Sequence, residues 1–271
     1  MKKNSDNMFF DNLEFKGESI PQTILGYGPF MAELYFGHRS RLYQIDLYDN
    51  PQNTANIIIE AYNQGIRAIN LVNDPNLLEA YDIAKENGCE MKVIATIGKS
   101  DVDYLNPNYD IAKEVDWDDD IELFSTYDCP LMLVDEFITD GHDWKLISKI
   151  LSEINNTGAL SGLVSAFPSK TADLIKDNLD LDLFDFYMIP FNSLSYMMDI
   201  SAFNPSQRKE FEQKLIDLDK KVIATRILAA GVLKPRDAFE FFKKIDYIDL
   251  ISLGVASVDE AKEDFSLLKQ Y

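Results

Sequence analysis

Two stretches decide the fold: Val222-Ile-Ala-Thr-Arg-Ile-Leu-Ala-Ala-Gly-Val-Leu233 and Ile248-Asp-Leu-Ile-Ser-Leu-Gly-Val-Ala-Ser-Val-Asp-Glu-Ala-Lys-Glu-Asp264. Each opens as a short apolar run, breaks into small or polar residues, and then takes up a helical pattern. A strand buried on both faces of a parallel sheet reads as such a run, and the break after it marks a loop at the strand's C-terminal end. The two stretches therefore predict two successive strand–loop–helix units.

Working back from them, the same alternation recurs about every 30 residues, the length of a βα unit. The expected strands are Thr23–Tyr27, Arg67–Val72, Met91–Ile97, Leu131–Glu136, Leu160–Ser165 and Phe186–Pro190, followed by the two quoted segments. Between them, Asn50-Pro51, Asp74-Pro75 and Pro205 open helices, and Asp143 stands as an N-cap before apolar residues at helical spacing. Residues 28–50 read as a long aromatic loop, residues 100–120 as an acidic surface loop, and Asp120–Thr126 as a short helix. Eight units in 271 residues fit an α/β chain folded as one (β/α)8 TIM barrel over residues 1–271, with residues 1–20 as an N-terminal extension. An open doubly wound sheet is the alternative. Against it, no strand leads into a GxGxxG or GxxxxGK[ST] loop, and Gly26-Tyr-Gly28 is an isolated GxG.

Composition narrows the function. The chain carries 46 acidic and 26 basic residues, a formal net charge of −20, which disfavours nucleic acid and anionic membrane surfaces as partners. Cys89 and Cys129 sit in neither a CxxC nor a metal-finger spacing, which fits a reducing cytoplasm. No run has the length of a signal-peptide core or of the roughly 20 apolar residues that span a bilayer, so a cytoplasmic protein is expected.

Several segments are similar to the aldo-keto reductases. Leu25-Gly-Tyr-Gly-Pro-Phe30 resembles that family's opening strand, and Ala61-Tyr-Asn-Gln-Gly-Ile-Arg-Ala-Ile69 its entry to the second. Gly162-Leu-Val-Ser-Ala-Phe-Pro168 resembles the turn that holds the nicotinamide, Ile189-Pro-Phe-Asn-Ser-Leu194 the end of the sixth strand, and the two opening segments the seventh and eighth units. The resemblance implies a barrel that binds a nicotinamide dinucleotide, typically NADPH, and reduces carbonyls with an Asp, Tyr, Lys and His set.

That set is not in its places. The Asp position holds Asn70, the Tyr position falls near Asp74-Pro75, the Lys position is Ile97 after Ala95-Thr96, and the His position matches Asp135 or Glu136. Without the phenol and its cationic neighbour the family's proton transfer lacks its donor. Lys99 lies two residues past Ile97 and in an extended chain points to the same side; a solvated loop lysine is the simpler expectation. Asn70, Lys99, Asp135 and Glu136 are thus the candidate catalytic residues at the barrel mouth, with Lys99 or Tyr27 as a substitute donor. The resemblance carries cofactor contacts over to Ser165, Asn192 and Arg226. Ser257 is an N-cap whose helix start attracts phosphate, while Asp259 and Glu260 behind it favour NAD(H) over NADPH.

The expected function is a diverged relative that binds a nucleotide or small phosphorylated ligand at the mouth without the usual tetrad. A non-catalytic binding or assembly protein, or an NAD(P)H-dependent oxidoreductase with a relocated donor, are the alternatives. Asp135, Glu136, Asp140, His142 and Asp143 form a cluster rich in oxygen donors that could suit Mg²⁺ or Mn²⁺, but Asp143 serves as an N-cap, so no metal is expected. The aromatic segments Tyr27–Phe36 and Phe191–Met198 fit a ligand pocket or mutual loop packing equally.

Overall fold

A computed structural model describes residues 9–100, 102 and 107–271. Among them, eight parallel strands close into a barrel in the order β10-β3-β4-β5-β6-β7-β8-β9. Two further strands, β1 (Asn12–Phe15) and β2 (Glu18–Pro21), form an antiparallel hairpin. The barrel strands are β3 (Thr23–Leu25), β4 (Ala68–Leu71), β5 (Lys92–Ile97), β6 (Leu131–Val134), β7 (Leu160–Val164), β8 (Phe186–Pro190), β9 (Lys221–Thr225) and β10 (Leu250–Leu253). The expected (β/α)8 barrel is therefore the fold, with most strands one or two residues shorter than the apolar runs, β8 at its expected bounds and β9 beginning one residue earlier.

The helices follow in chain order. They are α1 (His38–Tyr43), α2 (Pro51–Asn63), α3 (Pro75–Glu86), α4 (Tyr109–Ala112), α5 (Trp117–Phe124) and α6 (Glu136–Asp140). After them come α7 (Trp144–Thr157), α8 (Pro168–Asn178), α9 (Pro205–Leu218), α10 (Pro235–Phe242) and α11 (Val258–Leu268). Proline at the first helical position recurs because its missing N–H has no intrahelical partner there. Asn50, Asp74, Asp143, Asn204 and Ser257 cap their helices through side-chain oxygens that accept backbone N–H bonds.

Side chains alternate inward and outward along each strand, which gives two apolar layers. The outer layer, between strands and helices, includes Ile69, Val93, Val134, Leu163, Tyr187 and Leu253. The inner one fills the barrel with Ile24, Ala68, Ile94, Leu131, Leu133, Phe186, Met188 and Leu250. It is a packed core and leaves no pore, so the barrel interior itself offers no ligand site.

Two local expectations are corrected, and the described part of the N-terminal extension takes a defined form. The described part of residues 1–20 contains the β1–β2 hairpin, whose Ile20, Leu13 and Phe15 join the inner core and close the barrel's N-terminal end. Lys16 and Gly17 have φ of 48° and 91°, the pair of left-handed residues that makes a tight two-residue hairpin turn. Residues 28–50 are largely helical: a 3₁₀ turn at Leu34–Phe36, then α1, then a π-helical turn at Gln44–Tyr48. The acidic stretch around 100–120 carries α4 and α5, and Trp117 and Asp120 turn inward because α5 packs on the barrel; positions 101 and 103–106 of that stretch lie outside the described residues.

Candidate functional site

At the C-terminal ends of the strands lies a cavity of about 350 Å³, a size that suits a small molecule. Asn70, Asp135, Val164, Met188, Thr225 and Ser252 line it from the strand ends. Tyr27, Glu33, Tyr35, Arg39 and Tyr43, from the segment after β3, line its side.

Asn70 stands two residues beyond Ala68 and so shares its inward face. Its amide donates to the Ile94 carbonyl at 2.7 Å and to Thr96 Oγ1 at 3.1 Å, which fixes the orientation of the side chain. Asp135 follows β6 directly and caps the short α6, accepting the Phe137 N–H at 3.0 Å. Burial raises its carboxyl most, Lys99 pulls it down and Glu136 raises it again, to about 7.

Lys99 departs from the expectation of a solvated side chain. Its ammonium lies 2.9 Å from Glu33 Oε1. The cause is local. Gly98 adopts φ 79°, and its N–H is held at 2.7 Å by Asp120, whose other oxygen accepts from Asn73 at 2.8 Å. The left-handed backbone favours glycine here, and a Cβ would also come within 2.3 Å of the Ile138 Cδ1. The turn sends Lys99 back over the mouth. Burial works against its charge, but Glu33, Tyr27, Asp135 and Glu136 together hold its pKa well above the ordinary lysine range. Burial likewise pushes the Tyr27 phenol well up, opposed chiefly by Lys99, so Tyr27 is a neutral proton donor.

Glu136 and Arg226 form a second buried pair, Nη2 lying 2.8 Å from each carboxylate oxygen. Arg226 also lies over the Tyr35 ring, 4.7 Å from its centroid. Its backbone is left-handed, with φ 55°, a conformation that costs a non-glycine residue about 1–2 kcal/mol.

The other cofactor candidates are engaged elsewhere. Ser165 is buried, donating to Asp140 Oδ1 at 2.6 Å and accepting the Phe167 N–H at 3.0 Å. Asn192 is buried too, bonded to both backbone groups of Tyr196 and to the Arg226 carbonyl. Ser257 accepts the Glu260 N–H at 3.1 Å, while the Glu260 carboxylate turns back to the Ala256 N–H at 2.7 Å. The helix start expected to face a phosphate is thus capped by the protein's own oxygens, one of them anionic. Asp140 takes bonds from Ser165, Ala166 and Thr171, so its oxygens are already engaged by protein donors. Among the described residues no three His, Cys, Asp or Glu side chains are grouped to hold a metal ion.

Of the candidate residues, the cavity brings together Asn70, Asp135, Glu136 and Arg226, with Lys99 joined to its wall through Glu33. Glu33 and Tyr35 belong to the segment Tyr27–Phe36 expected as a possible pocket lining, although neither is singled out there, and Asp264 ends the stretch Ile248–Asp264 with no role expected of it. Asp264 had a visible signal: it interrupts the buried stripe Ala261, Phe265, Leu268 of α11. The two aromatic segments divide between roles. Tyr27, Tyr35 and Phe36 line the cavity, whereas Phe191 packs stacked on Phe211, tilted on Phe241 and edge-on to Phe242, and the Tyr196 hydroxyl donates to the Tyr35 carbonyl.

Solved structures share the barrel fold. A protein of Pseudomonas aeruginosa assigned to the aldo-keto reductases superimposes with a TM-score of 0.64, covering 99% of this chain and 97% of that one at 14% identity. The chain has the fold of the aldo-keto reductases. An aldo/keto reductase from Klebsiella pneumoniae, in complex with NADP and acetate, matches with a TM-score of 0.60 over 95% of this chain and 89% of that one, at 11% identity. No family model and no curated protein matches the sequence. No helix among the described residues is long and apolar enough to cross a membrane.

Proposed function

We propose that the protein binds a small hydroxy or carbonyl compound in the barrel mouth and catalyses proton transfer on it, with Asp135 exchanging the proton. The observation that carries this is Asp135 itself: a carboxyl that lines the cavity, is 1% exposed, and titrates near neutrality beside a lysine. A general acid or base works best when its pKa lies near the working pH, and burial beside a fixed cation is how a carboxyl reaches that range. Tyr27 supplies a neutral phenol and Lys99 a permanent positive charge that stabilises developing negative charge on a substrate oxygen. Asn70, oriented by Ile94 and Thr96, and the Arg226–Glu136 pair give the mouth a fixed polar shape.

A second reading, a nicotinamide-dependent reductase with Tyr27 as relocated donor, is favoured by the NADP held by the Klebsiella fold neighbour. It is opposed by the engagement of Ser165 and Asn192 in internal bonds, and by the Glu260 carboxylate at the α11 start.

One experiment separates the two. The protein is incubated with hydroxyacetone in D₂O, with and without NADPH, and followed by NMR. Deuterium entering the carbon next to the carbonyl without NADPH, and not in Asp135→Asn, is expected. Reduction that requires NADPH supports the second reading, and no reaction under either condition with this or related hydroxyketones counts against both.

A further inference from the structure

The proposed proton transfer leaves part of the cavity lining unused, the α11 arm, to which Gly231, Leu233, Gly254 and Ala256 also contribute. Glu260, Glu263 and Asp264 line that arm together. At positions i, i+3 and i+4 they lie on one side of the helix. Glu260 and Glu263 are exposed, as most helix acids are, but Asp264 is only 8% exposed. Among the described residues its carboxylate has no hydrogen bond and no ion pair. Every other carboxylate buried at the mouth is matched: Glu33 by Lys99, Glu136 by Arg226, and Asp135 by the Phe137 N–H. Asp120 and Asp140, buried outside it, are matched too.

An unmatched buried carboxylate is costly, and buried polar groups in folded proteins nearly always have partners. Burial and the charges of Glu260 and Glu263 push the Asp264 carboxyl up to about 7, with no cation to oppose them. A group held in that state, and lining a cavity, lacks a partner of opposite charge.

We infer that the α11 arm of the cavity binds an organic cation, a primary ammonium or guanidinium group, on Asp264 with Glu260 and Glu263 at its rim. This rests on the reading of the mouth as a small-molecule site and sharpens it: the compound carries an amino or guanidino group beyond its hydroxy or carbonyl end. A phosphate in this arm would meet three carboxylates. Arg39 also lines the cavity, bonded to the Ala230 carbonyl at 3.3 Å, but it is not among the charges that act on Asp264. The paired charges elsewhere in the mouth leave Asp264 as the anchor.

The test uses four ligands of one length, n-butylammonium, n-butylguanidinium, n-butanol and n-butyl phosphate, titrated at constant ionic strength with heat or thermal shift as readout. The two cations are expected to bind and the phosphate not. Asp264→Asn should weaken cation binding at least tenfold, while Asp259→Asn, on the same helix outside the cavity, should leave it within twofold. Asp264→Asn removes a buried charge, so a melting temperature at or above that of the natural protein verifies its fold. Cation binding equally weakened by both substitutions would mean attraction to the net −20 surface and would overturn the inference, as would tighter binding of the phosphate. Butanol binding without cation binding overturns it while leaving the mouth a ligand site. Binding of none overturns the inference, and the D₂O experiment then decides the mouth separately.

Discussion

Arg226 and Glu136 meet across the barrel mouth although 90 residues separate them in the chain, one guanidinium nitrogen serving both carboxylate oxygens at 2.8 Å. Their side chains are 5% and 8% exposed, so neither charge has water to fall back on. Removing one partner from such a pair strands the other and costs about 3–5 kcal/mol, whereas replacing both with apolar groups of similar volume is often close to neutral. Arg226→Met should therefore destabilise by about that amount, and Arg226→Met with Glu136→Leu should recover most of it. Urea unfolding of the single and double variants reads the coupling, and additive losses would show the pair to be weakly joined.

The barrel was legible because its physics is repetitive. A parallel strand covered on both faces must be apolar throughout, so runs such as Leu131–Val134 and Leu160–Val164 announce themselves, and Asp74, Asp143 and Ser257 mark helix starts. The strand ends also put Asn70, Asp135 and Glu136 at the mouth. What escaped depends on contacts distant in sequence. Lys99 looks like a loop lysine until Asp120 fixes the Gly98 turn and Glu33 receives the ammonium. Ser165 and Asn192 look available until Asp140 and Tyr196 are found holding them. The hairpin at residues 12–21 has a local signal, Lys16-Gly17 between the alternating Leu13, Phe15 and Ile20, but it is too short to stand out beside the barrel strands.

Asp135 imposes a pH dependence of definite sign. Its carboxyl rises from the ordinary value of 3.8 to about 7 in the folded protein. Between those values the native state holds a proton that the unfolded chain has released, so stability falls as pH rises through the window and is level above it. The limiting slope is about 1.4 kcal/mol per pH unit for one group. Asp140 and Asp264, raised to about 6 and about 7, add slopes of the same sign. Asp135→Asn keeps an oxygen for the Phe137 N–H, so it should raise the melting temperature at pH 8 and flatten the decline between pH 4 and 7. A curve unchanged by the substitution would place the titrating group elsewhere.

Gly162 tests the barrel interior. A Cβ there would lie 2.6 Å from Leu133 Cδ2 and 2.6 Å from the Phe186 carbonyl oxygen. The leucine end can rotate but the backbone of β8 cannot, so Gly162→Ala must spread two paired strands. Overpacking of this kind costs about 1–3 kcal/mol. Urea unfolding should show a lower midpoint with an unchanged slope, and a midpoint equal to that of the natural protein would mean that β7 and β8 separate more easily than their pairing implies.

Lys99 links the two halves of the site, because it pairs with Glu33 and its charge is also the largest influence lowering both Asp135 and Tyr27. Lys99→Met keeps most of the side chain's volume and removes that charge. Two effects follow from one change. Glu33, 7% exposed, loses its counter-ion, so stability above neutral pH should drop. The Asp135 carboxyl should shift further upward, since only burial and the negative charge of its neighbours remain to act on it. Carbon-13 NMR of the aspartate carboxyls, assigned through Asp135→Asn, follows that titration in both proteins. Lys99→Arg should restore the stability and move the titration back toward its original place. An Asp135 titration unmoved by Lys99→Met would mean that the ammonium does not act on Asp135 across the cavity, and would remove the fixed cation from the proposed proton-transfer group.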